Sequence, residues 1–315
     1  MADLAEKNTD LLVVGGPTAS GKTSLAVELA RQLGGEILSA DSMQIYRGLE
    51  IGTAKATPAE QRGIPHHMLN IRSPEESYSV ADYVAEAGRV IGEIRARGKV
   101  PILAGGTGLY ISSLIRGIRF APQPDTSSLR ARLEREWEEQ GPDVLYRRLQ
   151  ELDGEAAQKI HPHNKVRVIR ALEVCEAGGE SFSRRKAEAL PASRPYRTLL
   201  LCLNFADRQQ LYRRIDLRVD RMMEQGLLGE AMQVYLHRQS WLTAAQAIGY
   251  KEFFGYFEGR QSLAECVALL KQASRRYAKR QLTWFRHQED ALWLEASDPR
   301  AEEQALKLAQ AFLKG

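Results

Sequence analysis

Gly16-Pro17-Thr18-Ala19-Ser20-Gly21-Lys22-Thr23 is the stretch on which the reading of this chain turns. It follows the apolar run Leu11-Leu12-Val13-Val14 and leads straight into the helical pattern Ser24-Leu25-Ala26-Val27-Glu28-Leu29-Ala30. That is the phosphate-binding spacing G-x-x-x-x-G-K-[ST] in the context it requires, with a strand before it and a helix after. Gly16 and Gly21 let the backbone turn its N–H groups inward around an anion, and the helix points its positive dipole end at the same spot. Lys22 adds a full charge, and the Thr23 hydroxyl is suited to ligate a magnesium ion that also touches phosphate oxygens. Glycine-rich strand–helix turns occur without ligands too. Eight residues in register nevertheless point to a di- or triphosphate site made by Gly16, Pro17, Thr18, Ala19, Ser20, Gly21, Lys22 and Thr23.

Further along, Glu36-Ile37-Leu38-Ser39-Ala40 reads as a short buried strand ending at Asp41. In a parallel α/β sheet ligands sit beyond the carboxyl ends of the strands, so Asp41 falls on the same rim as the phosphate loop. An Asp at a strand end also serves as a turn or cap, and the polar cluster after it favours a site. Thr57-Pro58-Ala59-Glu60 has the form of a capping box with proline at the first helical position. His66 and His67 lack a third metal-ligand candidate at useful spacing and read as packing and hydrogen-bonding residues. A helix opened by Ser79 carries apolar residues at Val80, Tyr83, Val84, Ala87, Ile91 and Ile94, and Val100-Pro101-Ile102-Leu103-Ala104 forms the next buried strand. That strand ends in Gly105-Gly106-Thr107-Gly108, two glycines and a threonine where a nucleoside-triphosphate hydrolase would deliver an acid to magnesium. The expectation is a backbone opened for close approach by a substrate.

Prolines in Phe120-Ala121-Pro122-Gln123-Pro124-Asp125 mark a linker. Helical patterns follow over Ser128 to Glu139, Val144 to Leu152 and Lys165 to Ala177, with no convincing strand among them. Residues 117–195 therefore read as a helical insertion, and residues 1–116 and 196–315 as the core domain around the phosphate loop. The core resumes with the strand Arg197 to Leu203, followed by a helix capped by Asp207 that carries Arg214 and Arg218 four residues apart on one face. Two cations stacked in that way are tolerable if an anion lies between them. Gly226-Leu227-Leu228 reads as a break, and Asp298 to Gly315 as a terminal helix. The stretch Arg275-Arg276-Tyr277-Ala278-Lys279-Arg280-Gln281-Leu282-Thr283-Trp284-Phe285-Arg286 is the most basic of the chain, with aromatics interleaved. It reads equally well as an amphipathic helix with solvated arginines.

Composition sets bounds without choosing a function. The 315 residues suffice for one large domain and a second body, at 43% hydrophobic and 27% charged residues, ordinary for a globular protein. A formal charge of +4 suits a polyanionic partner without requiring one. Cys175, Cys202 and Cys266 are far apart, so neither a disulfide framework nor a zinc ribbon is indicated. No apolar run approaches the ~18 residues of a membrane span, and no secretory signal is visible. A cytoplasmic protein with no membrane association is expected.

Taken together these segments resemble the bacterial-type tRNA dimethylallyltransferases, also called tRNA isopentenyltransferases. The matching features are residues 16–23, Ala-Asp-Ser-Met-Gln-Ile-Tyr at 40–46, Ile-Gly-Thr-Ala-Lys at 51–55 and Ile-Pro-His-His at 64–67. Gly-Gly-Thr-Gly-Leu-Tyr at 105–110, Arg170-Ala171-Leu172-Glu173, Gly-Tyr at 249–250 and Tyr-Ala-Lys-Arg-Gln-Leu-Thr-Trp-Phe-Arg at 277–286 complete the match over nearly the whole chain. The resemblance implies a P-loop NTPase-like α/β fold, a parallel sheet flanked by helices, with a helical insertion that grips tRNA. It implies transfer of a dimethylallyl group from dimethylallyl diphosphate to N6 of adenosine-37 in the anticodon stem-loop of tRNA. It makes Asp41 the catalytic base, with Lys22, Thr23 and Mg2+ stabilising the leaving diphosphate and Arg214 and Arg218 closing the far side. It assigns Asp41, Ser42, Met43, Gln44, Thr107 and the segment Lys165, Val166, Arg167, Val168, Ile169 to tRNA contact, and Arg280 joins them as a basic candidate. Some eukaryotic relatives carry a C-terminal zinc finger; no ligand pair follows Cys266 here, and none is expected. Nothing points to an obligate protein partner, so a monomer is expected.

Two other readings remain open on sequence alone. A small-molecule or nucleotide kinase shares the phosphate loop and a strand-end Asp, with residues 117–195 as its lid. A non-catalytic RNA-binding protein with a vestigial loop is the third.

Overall fold

The computed structural model describes residues 9–120, 125–179, 181–191, 193–288 and 290–315. The proline-marked centre of the expected linker, 121–124, lies outside them. Two compact units result, one made of residues 1–115 and 194–315 and the other of residues 116–193.

The first unit is built on six strands: β1 (Thr9–Gly15), β2 (Gly35–Ala40), β3 (His66–His67), β4 (Val100–Gly105), β5 (Tyr196–Asn204) and β6 (Ala291–Glu295). They lie in the order β3-β2-β4-β1-β5-β6, every neighbouring pair parallel. Apolar residues alternate between the two faces because successive side chains of a strand point to opposite sides. Leu12 and Val14, with Ile102, Leu201 and Leu203, pack under α1 (Lys22–Leu33) and α15 (Ala301–Lys314). Leu11, Val13, Leu103 and Leu200 face the other way, onto α3 (Val80–Ala96) and α4 (Gly108–Ile115). With both faces covered, the central strands have no polar side to show, hence their continuous apolar runs. The parallel direction gathers Gly15, Ala40 and Gly105 along one edge of the sheet.

Short helices and turns line that edge. The capping box at Thr57 and Glu60 opens α2 (Pro58–Gln61), and a second, at Ser79 and Asp82, opens α3. His67 bonds Glu36, and His66 bonds the Ile64 carbonyl, as expected of packing residues. After β5 come α10 (Arg208–Glu224), α11 (Leu227–Leu236) and α12 (Leu242–Ala245). A 3₁₀ turn (Lys251–Phe253), α13 (Phe254–Phe257) and the long α14 (Leu263–Arg286) follow. Val219, Met222, Leu227, Ala231, Phe253 and Leu270 from these helices form a third buried cluster beneath Ile45, Tyr46 and Leu49. Gly226 marks the break between α10 and α11, as its sequence context suggested, and at φ 101° it caps the start of α11. Glycine tolerates that left-handed conformation where other residues are strained.

The second unit has a core of its own. It comprises α5 (Ser127–Gln140), α6 (Pro142–Leu152), α7 (Gly154–Lys159), α8 (Lys165–Gly178) and α9 (Phe182–Glu188). Leu133, Leu145, Leu149, Val168 and Leu172 are fully buried at its centre. Glu173, 1% exposed, is compensated by a two-pronged ion pair with Arg130. The Asp153 side chain caps α7 and accepts from the Ser183 N–H, tying α9 down.

Candidate active site

The phosphate loop joins β1 to α1 and has the curvature its glycines imply. Gly16 sits at φ 138° and Gly21 at φ 95°, and Ala19 adopts φ 62° despite its side chain. A left-handed alanine costs energy and persists only where its surroundings impose it. Here the Ala19 carbonyl accepts a bond from Arg214 Nε at 2.9 Å. Arg218, one turn further along α10, donates from Nη1 to Thr18 Oγ1 at 3.2 Å. The stacked arginines thus both reach the loop. Lys22 Nζ folds back onto the Pro17 carbonyl at 2.6 Å. Burial and the neighbouring Arg218 charge bring the lysine down to about 7, against a smaller opposing pull from Asp41.

Asp41 follows the last residue of β2 and accepts the Met43 N–H at 2.9 Å, the turn geometry its position allows. Asp41 lines a cavity of about 260 Å³ with Thr18, Lys22, Thr23 and Arg218. The rest of its lining is mixed, with Ser42, Gln44, Thr53, Ser274, Tyr277 and Gln281 polar and one stretch of wall apolar. Ile215, Val219 and Met222 of α10, Ala247 and Ile248 of the turn after α12, and Leu270 of α14 contribute to its wall. A larger cavity of about 900 Å³ shares Lys22, Thr23 and Arg218 with it and adds Arg214 and Arg221. Thr23 lines both cavities, and its Oγ1 makes no hydrogen bond among the described residues. A hydroxyl, a carboxylate and phosphate oxygens are the hard donors that magnesium takes, so the residues present fit that ion.

Thr107 and Ser42 are joined directly, the Thr107 hydroxyl accepting the Ser42 N–H at 3.1 Å while its own N–H bonds the Ala40 carbonyl. Met43 is half-buried against the third core cluster. Gln44 also lines the cavity, its amide donating to the Thr53 and Ala54 carbonyls and accepting from Ser39 Oγ. The segment Lys165–Ile169 lies in the helical unit and is split by the periodicity of α8. Val168 and Ile169 are buried in that unit's core, which corrects the implied contact for those two side chains. Lys165 pairs with Glu138, while Val166 and Arg167 are exposed. Arg280 is exposed on α14 with its guanidinium 5.5 Å from the Tyr277 ring.

The glycines after β4 are approached closely by α14. A side chain at Gly106 would meet the Gln281 amide at 2.1 Å, and one at Gly108 the Trp284 ring at 2.3 Å. The room on the side-chain side of Gly106 and Gly108 is taken by α14, while Gly105 and Gly106 still line the cavity. Two further groups escaped sequence reasoning. Glu230 gathers the Glu50, Ile51 and Gly52 N–H groups and the Tyr250 hydroxyl on one carboxylate, bracing the loop that walls the cavity. Gln281, 5% exposed, bridges the phosphate loop and Gly106. Glu230 belongs to no local pattern, and although Gln281 falls within the matched stretch 277–286, only the tertiary fold shows what it bridges.

The IPP transferase family model matches residues 44–288. A tRNA dimethylallyltransferase of Geobacillus thermodenitrificans is 47% identical over 302 residues, spanning 96% of this chain and 95% of the relative. Among solved structures, the tRNA isopentenylpyrophosphate transferase of Bacillus halodurans is 40% identical with a TM-score of 0.72, covering 97% of both chains. A eukaryotic dimethylallyltransferase acting on tRNA aligns with a TM-score of 0.83 at 30% identity, over 97% of this chain and 80% of that one.

Proposed function

This chain belongs to the IPP transferase family, whose members are tRNA prenyltransferases, and from that premise we propose a specific reaction. The enzyme transfers a dimethylallyl group from dimethylallyl diphosphate to N6 of adenosine-37 in the tRNA anticodon loop. The allylic C–O bond breaks with its electron pair going to the diphosphate, a C–N bond forms, and the N6 proton passes to Asp41. One observation carries the reading. A single cavity holds Lys22, Thr23 and Arg218, then Asp41, then an apolar wall from α10 and α14.

Each part answers a need of the chemistry. The departing diphosphate gathers negative charge, which groups already oriented toward it stabilise best. Lys22, Arg218 and the N–H groups at the start of α1 supply that stabilisation. Magnesium, held by Thr23 and the diphosphate oxygens, would neutralise further charge there. Arg214 and Arg218 hold the loop in its strained form through the Ala19 carbonyl and the Thr18 hydroxyl, so the cradle is shaped before the donor arrives. Ile215, Val219, Met222 and Leu270 suit a five-carbon tail that must be kept from water. The exocyclic amine of adenine is a weak nucleophile, and a base at N6 typically contributes ~10²–10⁴-fold. Asp41 stands as that base on the strand edge, beside the Thr107–Ser42 pair. An anticodon-loop base, already single-stranded, is cheaply turned out of its stack. Val166 and Arg167, exposed on α8, are proposed tRNA contacts of the helical unit.

The experiment is direct. The protein is incubated with tRNA and either labelled dimethylallyl diphosphate or labelled ATP, and the anticodon-loop nucleosides are read by mass spectrometry. Dimethylallyladenosine formed from the first donor is expected. Turnover of ATP with no prenyl transfer would reject the reaction in favour of a kinase.

A further inference from the structure

Gln281 is an uncharged side chain in the most basic stretch of the chain, and it is almost wholly buried. Its amide uses both ends across long sequence separations. Oε1 accepts the Thr18 N–H at 2.8 Å, and Nε2 donates to the Gly106 carbonyl at 3.0 Å. Each bond falls where it matters. The Pro17–Thr18 peptide is planar, so fixing its N–H toward Gln281 fixes the Pro17 carbonyl on the opposite side. That carbonyl is the one on which Lys22 Nζ rests. Gly106 precedes Thr107, whose N–H is bonded to the Ala40 carbonyl and whose hydroxyl receives the Ser42 N–H. Asp41 lies between Ala40 and Ser42. One amide therefore links the loop that holds the leaving group to the strand ends that hold the base.

We infer that Gln281 is the positioning residue that sets the distance between diphosphate cradle and Asp41; this rests on the prenyl-transfer reading of the same cavity. The bond to Thr18 also removes that N–H from the set available to phosphate, leaving the donor to the groups at the start of α1, Lys22 and Arg218. An amide is required on chemical grounds. It must donate to a carbonyl at one end and accept from an N–H at the other, which an ionised carboxylate cannot do. Space is fixed as well, since any side chain at Gly106 would collide with Nε2 at 2.1 Å. No other side chain bonds both the phosphate loop and Gly106 among the described residues.

The test compares wild-type protein with Gln281→Met and Gln281→Glu, all assayed with dimethylallyl diphosphate and tRNA. Misplacing reacting groups by about an ångström costs on the order of 100-fold in rate. A fall of that size in kcat is expected for Gln281→Met, with the donor and tRNA dissociation constants each within about threefold of wild type by the same reasoning. Gln281→Glu carries a second signature. When protonated, the carboxyl reproduces the amide's donor and acceptor; when ionised, it turns a lone pair on the Gly106 carbonyl. Burial raises a carboxyl's pKa, so the ratio of Gln281→Glu to wild-type kcat should climb as pH falls from about 8 to about 6. A kcat for Gln281→Met within a few-fold of wild type would overturn the inference. So would donor affinity that weakens in step with kcat, or a Gln281→Glu ratio flat in pH. Should Gln281→Met fail to fold, the pH ratio decides alone. A wild-type protein that transfers no prenyl group rejects the reaction itself, whereas competent wild type with unimpaired variants rejects only the role of Gln281.

Discussion

Asp41 and Lys22 carry opposite charges into one cavity, and each answers to a different experiment. Asp41→Asn keeps the shape and the turn bond to Met43 while removing the proton acceptor. Diphosphate binding should stay near wild type and single-turnover transfer should fall by roughly 10²–10⁴-fold. A rate within a few-fold of wild type would remove Asp41 as the base. Lys22 is governed by pH. Burial and Arg218 hold it at about 7 in the free protein, so it loses its charge as pH rises through that value. A bound diphosphate favours the charged form, so binding takes up a proton above pH 7 and donor affinity should weaken there, by up to about tenfold per unit. Below pH 7 the lysine is already charged and contributes no slope. Titrating donor binding from pH 6 to 9 by calorimetry, with Lys22→Met as the control for the donor's own ionisation, reads the difference. A wild-type slope equal to that of Lys22→Met would take Lys22 out of the binding step.

A helix supplies what the loops around the cavity lack. The face of α14 that carries Leu270, Ser274, Tyr277 and Gln281 lines the cavity, and the same helix continues to Trp284 and Phe285 under Gly108 and Gly15. On its outer side Lys271 and Arg275 pair with Asp220 and Asp216 of α10, holding the two helices in register. Across from them Glu230 of α11 braces residues 50–52. Glu230→Gln places an NH₂ against backbone donors, and losing charge-assisted bonds costs about 1.5–3 kcal/mol. Faster hydrogen exchange at the Ile51 and Gly52 amides, together with a lower Tm, is the expected result; unchanged exchange would show that the loop holds itself. Local signals explain what could be read beforehand. The phosphate loop, Asp41 and the Arg214–Arg218 pair are short patterns whose spacing carries the chemistry. The glycines after β4 were legible as a place of close approach, but the α14 side chain that meets Gly106 lies 175 residues on in the chain, where only packing could identify it. Strand β6 escaped notice for a related reason: at the sheet's edge Leu292 and Trp293 are exposed, so no buried run marks it. Helices α7 and α9 span six and seven residues, too few for a period to stand out.

Donor chemistry and the helical unit rest on separate cores, and the division has a measurable consequence. The cavity is lined wholly by residues of the first unit, whereas Leu149 is fully buried among Leu133, Leu145 and Leu172 in the second. Truncating a buried leucine to alanine removes contacts and leaves a void, typically costing about 2–5 kcal/mol. Leu149→Ala should therefore loosen residues 116–193 while dimethylallyl diphosphate binds as in wild type. If the exposed face of α8 holds tRNA, affinity for tRNA falls in the same variant. Arg167→Glu separates charge from folding. Arg167 is exposed, makes no ion pair among the described residues, and its reversal leaves the core untouched. Each lost phosphate contact lowers the magnitude of the log–log salt slope of binding by about one. Measuring tRNA affinity between low and moderate salt for wild type and both variants distinguishes the two effects. A reduced slope in Arg167→Glu with an unchanged melting profile assigns the residue to the RNA backbone. An unaltered slope returns Arg167 to an ordinary solvated face, and tRNA affinity preserved in Leu149→Ala would remove the helical unit from recognition altogether.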